Sequence, residues 1–310
     1  MNTLGVVDRL DPALRHLGDS RTNLSADVLA GYRESLNQRR RAEAQFVDTA
    51  GVSIEDIQAS AVPVRIYRCA PSPAPAVIYC HSGAFVLGNL DIDHRQCVEL
   101  ARRGQCTVIS VDYRLAPENP FPAGLDDATA VLEWAAANGT ALQIDAERIA
   151  VAGSSAGGAL AARLAQLAAG GSAPPIVYCL LHQPVLDDRS TPSTLEFDSA
   201  PGFDAPAIAL MWQHYLAGRQ PSADAAPARA TELAGVPATL ITCSDVDPLR
   251  DEAVDYARRL MSAGVATELH VFPGTCHGFD AFLPDWELSQ QLFDLQGASL
   301  RRALHDRRCG

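Results

Sequence analysis

The chain is 310 residues long, 47% hydrophobic, and carries a formal net charge of −12 with a pI near 5.0. That length and apolar content can supply one large core, so a single domain with an appended cap is expected, and the acidic balance argues against nucleic acid as a partner. All 25 basic residues are arginine, which excludes Schiff-base chemistry, a lysine-anchored pyridoxal phosphate, a phosphate-loop lysine and a Ser-x-x-Lys nucleophile.

The N-terminal stretch has early acids and no apolar core of secretory length, and no later run reaches membrane-spanning length. A polar, helical region extends to about Ala44, and its Arg39-Arg40-Arg41 reads as a solvated helix face, because no aromatic or basic neighbours extend it into a patch. Strand-like runs follow at Val62–Arg68, Ala76–Cys80, Thr107–Val111, Arg148–Ala152, Ile176–Leu181, Ala238–Cys243 and Thr267–Phe272. Helix-like runs at Asp93–Arg103, Ala123–Asn138, Gly158–Ala169, Arg250–Ala263 and Asp285–His305 separate most of them. This alternation predicts an α/β fold, a mainly parallel sheet covered by helices, with the active site at the carboxyl ends of the strands. A second break in the alternation, about 187–220, is rich in Pro and Asp and reads as a further cap piece. The eight cysteines, at 69, 80, 97, 106, 179, 243, 276 and 309, form no Cys-x-x-Cys pair. Several fall inside strand-like runs, where a buried free thiol is the expected state. A reduced, cytoplasmic protein without stable membrane insertion is therefore expected.

The most informative segment is Arg148 to Gly158, an apolar run ending in Gly153-Ser154-Ser155-Ala156-Gly157 before an Ala/Leu-rich helix. A serine on a tight strand-to-helix turn needs small residues two before and two after it. Only Ser155 has glycine at both positions, which favours it over Ser154 as a nucleophile. The Ala156 N–H would open the helix, where unpaired amides and the dipole favour negative charge. Upstream, His81-Ser82-Gly83-Ala84-Phe85 follows a strand and could aim backbone N–H groups, those of Gly83 and Ala84, at the same oxyanion. An ordinary tight turn explains that loop equally well. Serine attack needs a base, and the base an orienting acid. His277 stands between glycine-containing flanks after the last strand, and Asp247 follows the strand before it. Helix capping before Pro248 accounts for Asp247 as well. The order Ser155, Asp247, His277, each past a strand, is nevertheless that of an α/β-hydrolase.

At these residues the chain resembles the hormone-sensitive-lipase family of bacterial esterases, within the α/β-hydrolase superfamily. The resemblance rests on His81 to Phe85, Asp112-Tyr113-Arg114-Leu115-Ala116-Pro117-Glu118, Gly153 to Gly158, Asp247 to Asp251 and His277-Gly278-Phe279. It implies Ser155 as nucleophile, His277 as base, Asp247 as its orienting acid, and Gly83, Ala84 and Ala156 as oxyanion donors, with His81, Gly153 and Gly157 as supporting motif residues. It also implies a helical cap from about 1–44 and about 187–220 on a single domain spanning 1–310, and gives Asp112 to Glu118 the role of buttressing the serine turn. The chain departs from the family at Ser82 and Ala84, which replace glycines and add bulk beside the alcohol site, at Ser154, which replaces an acid, and at Asn119, which replaces a histidine.

The expected function is hydrolysis of short- to medium-chain carboxylic esters through an acyl-enzyme, with a small-molecule ester as the partner, no metal or organic cofactor, and a homodimer left open. Amide or lactone hydrolysis and acyl transfer use the same triad, while a non-catalytic receptor on this scaffold would lack the base that His277 supplies. Leu195, Phe197, Phe203, Met211 and Trp212 are the residues expected to cover the site.

Overall fold

In the computed structural model, which describes residues 5–306, eight strands form one sheet in the order β1-β2-β4-β3-β5-β6-β7-β8. These are β1 (Ser53–Ala59), β2 (Val62–Arg68), β3 (Ala74–Cys80), β4 (Thr107–Val111), β5 (Ile144–Ser154), β6 (Tyr178–His182), β7 (Ala238–Val246) and β8 (Thr267–Cys276). The helices are α1 (Leu29–Ala44), α2 (His94–Gly104), α3 (Ala123–Ala137), α4 (Gly139–Leu142), α5 (Ala156–Ala169), α6 (Pro192–Glu196), α7 (Ala205–Leu216), α8 (Arg250–Ser262), α9 (Phe279–Phe282) and α10 (Glu287–His305). Pairing is antiparallel among β1, β2 and β4 and parallel from β4 onward.

The period-two alternation of the central strands divides the core between the two faces. Ile78, Val151, Leu181 and Ile241 turn to one side and pack with α3, α5 and α8. Their neighbours Val77, Tyr79, Ala152, Leu180 and Leu240 turn to the other and pack with α2 and α10. Residues at the carboxyl ends are registered neighbours: Cys80 pairs with Gly153, Ser154 with His182, His182 with Thr242, and Val246 with Cys276. A line of loops thus leaves the sheet along one edge.

Several elements differ from expectation: β3 begins at Ala74, β5 at Ile144 and β6 at Tyr178, and β7 runs on to Val246. β1 is an additional strand at the sheet edge, and β8 continues to Cys276 through Pro273 and Gly274, so His277 directly follows the strand. The seven described cysteines are free, and burial pushes the Cys80 and Cys276 thiols up to about 12. Cys309 and residues 1–4 of the expected cap lie outside the described residues. No described helix is long and apolar enough to cross a membrane.

Candidate active site

Ser155 stands between β5 and α5 with φ 53° and ψ −117°, a conformation that L residues rarely adopt. Its N–H donates to the His182 carbonyl at 2.8 Å, and its own carbonyl accepts from Gly158 at 2.9 Å and Val185 at 3.0 Å. The flanking glycines lie where no side chain fits. A Cβ at Gly153 would overlap the Gly157 carbonyl, and one at Gly157 would overlap the Cys80 carbonyl. Glycine therefore lets strand, turn and helix touch through their backbones, which raises the serine above the sheet.

Asp247 directly follows β7 and His277 directly follows β8, so the pairing of Val246 with Cys276 sets the two residues side by side. His277 Nδ1 lies 2.8 Å from Asp247 Oδ2, and Nε2 lies 3.0 Å from Ser155 Oγ. The carboxylate keeps the ring proton on Nδ1 and leaves the Nε2 lone pair facing the serine hydroxyl. Asp247 is fully buried, and its Oδ1 accepts from the Leu249 N–H at 2.8 Å. One oxygen closes the turn before α8 while the other meets the imidazole; the N-cap of α8 is Leu249, which has no side-chain cap, so Asp247 is a turn residue and not the helix cap. Asp245, two residues earlier, accepts from the Gly274 N–H at 2.8 Å; burial raises its carboxyl above the ordinary range, and it ties β7 to β8 away from the imidazole.

The loop after β3 carries three successive residues in left-handed conformations, Gly83 (φ 126°), Ala84 (φ 55°) and Phe85 (φ 60°). Gly83 is obligatory because a Cβ there would overlap the Leu87 carbonyl. Gly83 and Ala84 line the same cavity as Ser155 and His277, while the Ala156 N–H is the first of α5 and belongs to its unpaired donors. The Tyr113 hydroxyl donates to the His81 carbonyl at 2.8 Å, and its ring stacks on the His81 imidazole at 4.2 Å. Glu118 pairs bidentately with Arg33 of α1, which donates from Nε to the Val86 carbonyl at 2.8 Å. The segment Asp112 to Glu118 thus buttresses the loop after β3, and its contact with the serine turn runs through that loop. The side chain of Ser82 is not free bulk: it is bound to Asp93.

The cavity at Ser155 measures about 330 Å³. Of the five residues expected to cover it, only Phe203 lines it, with its ring 5.1 Å from that of His277. Phe197, Met211 and Trp212 are core side chains, and Leu195 is 74% exposed. They pack in the core or face solvent because α6 and α7 are short helices seated on the body of the fold, whereas the loop between them reaches the serine. The reading of Arg39-Arg40-Arg41 as a solvated face holds for Arg39 and Arg41, whose side chains are exposed, but not for Arg40, which turns inward at 18% exposure and lines this cavity with Arg39 at its rim. A larger hollow of about 660 Å³ around Pro71, Arg148 and His305 opens at the amino ends of the strands and contains none of these groups.

Sequence reasoning missed a polar network behind the histidine. His182 Nδ1 lies 2.9 Å from Thr242 Oγ1, its Nε2 lies 3.1 Å from Asp280 Oδ1, and Gln183 Oε1 accepts from the Gly278 N–H at 2.6 Å. Burial opposes ionisation of Asp280, yet the adjacent His182 outweighs it and holds the carboxyl below its usual range. This network fixes the backbone on the far side of His277. The residues come from three strand ends and α9, so no local pattern announces them.

Residues 77–281 match a family model described as the alpha/beta hydrolase fold. The esterase LipI of Mycobacterium tuberculosis is 40% identical over 292 residues, covering 90% of each chain, and the carboxylesterase NlhH of that organism is 40% identical over 253 residues, 79% of each. Among solved structures, the esterase LipW from Mycobacterium marinum superposes with a TM-score of 0.95 at 57% identity, covering 97% of this chain and 98% of that one. A bacterial heroin esterase gives 0.91 at 34% identity, covering 97% and 100%. The chain belongs to the alpha/beta hydrolase fold family and, within it, to the hormone-sensitive-lipase-like esterases.

Proposed function

We propose that this protein is a serine carboxylesterase acting on short- to medium-chain esters, with Ser155, His277 and Asp247 as its triad. The observation that carries the reading is the continuous line from Asp247 Oδ2 through the imidazole to Ser155 Oγ, with steps of 2.8 and 3.0 Å. Ser155 Oγ attacks the ester carbonyl as His277 Nε2 takes its proton, and the imidazolium is stabilised by the buried Asp247. The carbonyl oxygen, now an anion, receives the N–H groups of Gly83, Ala84 and Ala156, each worth about 3 kcal/mol by analogy with measured deletions. Collapse of this intermediate breaks the bond to the alcohol, which leaves with the proton from His277. Water then gives a proton to His277 and attacks the acyl-enzyme; a second collapse returns that proton to Ser155 Oγ and releases the acid.

The region up to Ala44 and the segment 187–220 act as the cap in this reading, supported by the presence of Thr22, Tyr32, Arg40 and Phe203 around the cavity. A space of this size favours acyl chains of roughly four to eight carbons, because each buried methylene gains about 0.8 kcal/mol only until the space is full. Bulky tertiary-alcohol esters should be poor substrates, since Ala84 carries a side chain beside the serine. The free buried thiols fit a reducing, cytoplasmic setting.

Ser155→Ala should lower kcat by on the order of 10⁵ to 10⁶ without unfolding the protein, while Ser154→Ala remains active. An organophosphate adduct mapped to Ser154 instead of Ser155 would overturn the assignment. Rates on p-nitrophenyl esters of graded acyl length test the size limit, and faster hydrolysis of emulsified long-chain triglycerides would refute it.

A further inference from the structure

We infer that Asp93 is a positioning residue for the oxyanion loop: its carboxylate sets Ser82 so that the next two amides face the ester carbonyl before substrate arrives, an inference that rests on the esterase reading above. Asp93 occupies the N-cap position of α2, where an aspartate ordinarily accepts from an amide of the first helical turn. It makes no such bond. Its Oδ2 instead accepts from the Ser82 N–H at 2.7 Å and the Tyr79 hydroxyl at 2.9 Å, and its Oδ1 accepts from Ser82 Oγ at 2.8 Å. All three bonds reach back to the end of β3 and the first loop residues, so the side chain has given up its local role for a distant one.

The position of this anchor explains what it does. Tyr79 is buried at 1% exposure, so it fixes the carboxylate from the core side. The Ser82 N–H is then occupied by the carboxylate, which itself lines the cavity, and its Cα is held through both backbone and side chain. Immediately after it come Gly83, Ala84 and Phe85, three positive φ values in a row, two of them on residues that disfavour that region. Such a run persists only where the surroundings over-determine it. The contacts to Tyr113, Arg33 and the Ala116 N–H act on His81, Val86 and Phe85; at Ser82 the His81 ring meets the carbonyl at 2.6 Å, while Asp93 holds the amide and the hydroxyl. A glycine at position 82 would retain the amide bond but lose the hydroxyl one. Ser82 and Asp93 thus form a clamp built from the same departure that the sequence shows in this motif.

The test compares three variants, each normalised to the concentration of serine titrated by an organophosphate, so that loss of folded protein is separated from loss of rate. Asp93→Ala should lower kcat by about 30- to 100-fold with KM within twofold, and weaken a trifluoromethyl-ketone inhibitor in parallel, since that ligand mimics the oxyanion. Ser82→Ala keeps the amide bond and should lose about threefold to tenfold on both measures. Asp93→Asn should restore kcat to within about fivefold of the parent, because its oxygen can accept from the Ser82 N–H and Tyr79 while its amide donates to Ser82 Oγ. Should Asp93→Ala not fold, Ser82→Ala decides. Parent-like kcat and inhibitor affinity per titrated serine in Ser82→Ala, and in Asp93→Ala where it folds, would overturn the inference while leaving the esterase reading intact. Failure of the parent enzyme to be labelled at Ser155 would instead overturn the reading on which it rests.

Discussion

Two strained segments meet at the candidate active site, and they are held in different ways. The turn at Ser155 is fixed by backbone against backbone, with Gly153 and Gly157 at positions where any side chain would overlap a carbonyl. The loop from His81 to Leu87 has one such glycine, Gly83, but is otherwise fixed by side chains, Tyr113, Arg33 and Asp93 among them, and by the stacking of Phe85 on Tyr215 at 3.7 Å. The comparison separates a local device from a distributed one. A local device fails completely when one atom is added, whereas a distributed device should fail in steps.

The largest effect should come from adding one methyl group to the local device. Gly157→Ala forces the start of α5 away from the Cys80 and His81 carbonyls, and Ser155 moves with it. A displacement near 1 Å at the proposed nucleophile costs on the order of a hundredfold in rate, so kcat per titrated serine should fall at least that far. A folded Gly157→Ala protein with parent-like kcat would show that the backbone contact does not position the serine.

The next effect removes one distributed support. Arg33 donates to the Val86 carbonyl at 2.8 Å and the Ala116 carbonyl at 3.1 Å while pairing with Glu118 at 3.0 and 3.1 Å. Its hydrogen bonds hold Glu118 below the usual carboxylate range. Arg33→Ala should therefore reduce kcat by roughly tenfold and stability by about 2 kcal/mol, as loss of hydrogen bonds to a charged group does. Calorimetry and steady-state kinetics on one preparation separate the two. Destabilisation with unchanged kcat per titrated serine would mean that α1 supports the fold but does not hold the loop.

The same contrast explains what could be read from the sequence. Ser155, Asp247 and His277 were legible because each directly follows a strand, and the glycines that permit the serine turn lie two residues away. Asp93, Arg33 and Gln183 were not, since each acts on a loop that is distant in sequence or belongs to another strand end, and an Asp before a helix or an Arg in a polar helix has an ordinary local explanation. The fold followed similar limits. β1 escaped notice because its residues are mostly exposed and its turn to β2 uses Ser60, at φ 56°, without the Asn-Gly or Asp-Gly pair that marks a hairpin. β8 was cut short at Pro273, yet it is an edge strand, where proline is tolerated.

A third expectation concerns Glu252, which holds the start of the segment 187–220 and distinguishes support by hydrogen bond from support by charge. Its Oε1 accepts from the Leu186 N–H at 2.7 Å, and burial raises its carboxyl well above the ordinary range. Between the unfolded and folded pKa values the native state holds a proton that the unfolded state has lost, so this group's contribution is fully present below the unfolded value and declines as pH rises. Glu252→Gln keeps an acceptor for Leu186 and cannot ionise. Its Tm should accordingly fall less than the parent's between pH 5 and 8. Parallel Tm curves for the two proteins would show that the proton is not held.

The smallest effect should come from easing strain in the distributed device. Ala84 sits at φ 55°, where glycine is the easier residue, and it is 5% exposed. Ala84→Gly would relieve backbone strain, but it would also lose a buried methyl and give the unfolded chain more freedom. These contributions oppose one another at about 1 kcal/mol each, so stability should move by less than that. The loop remains gripped at Ser82 by Asp93 and at Val86 by Arg33, so its amides should keep their aim and kcat should change by under about threefold. The vacated side-chain volume lies on the cavity wall beside Gly83 and Ser155, and esters of tertiary alcohols should gain relative to primary ones. A large loss of kcat in Ala84→Gly would mean that the Ala84 side chain itself, rather than the anchors on either side, holds the loop in place.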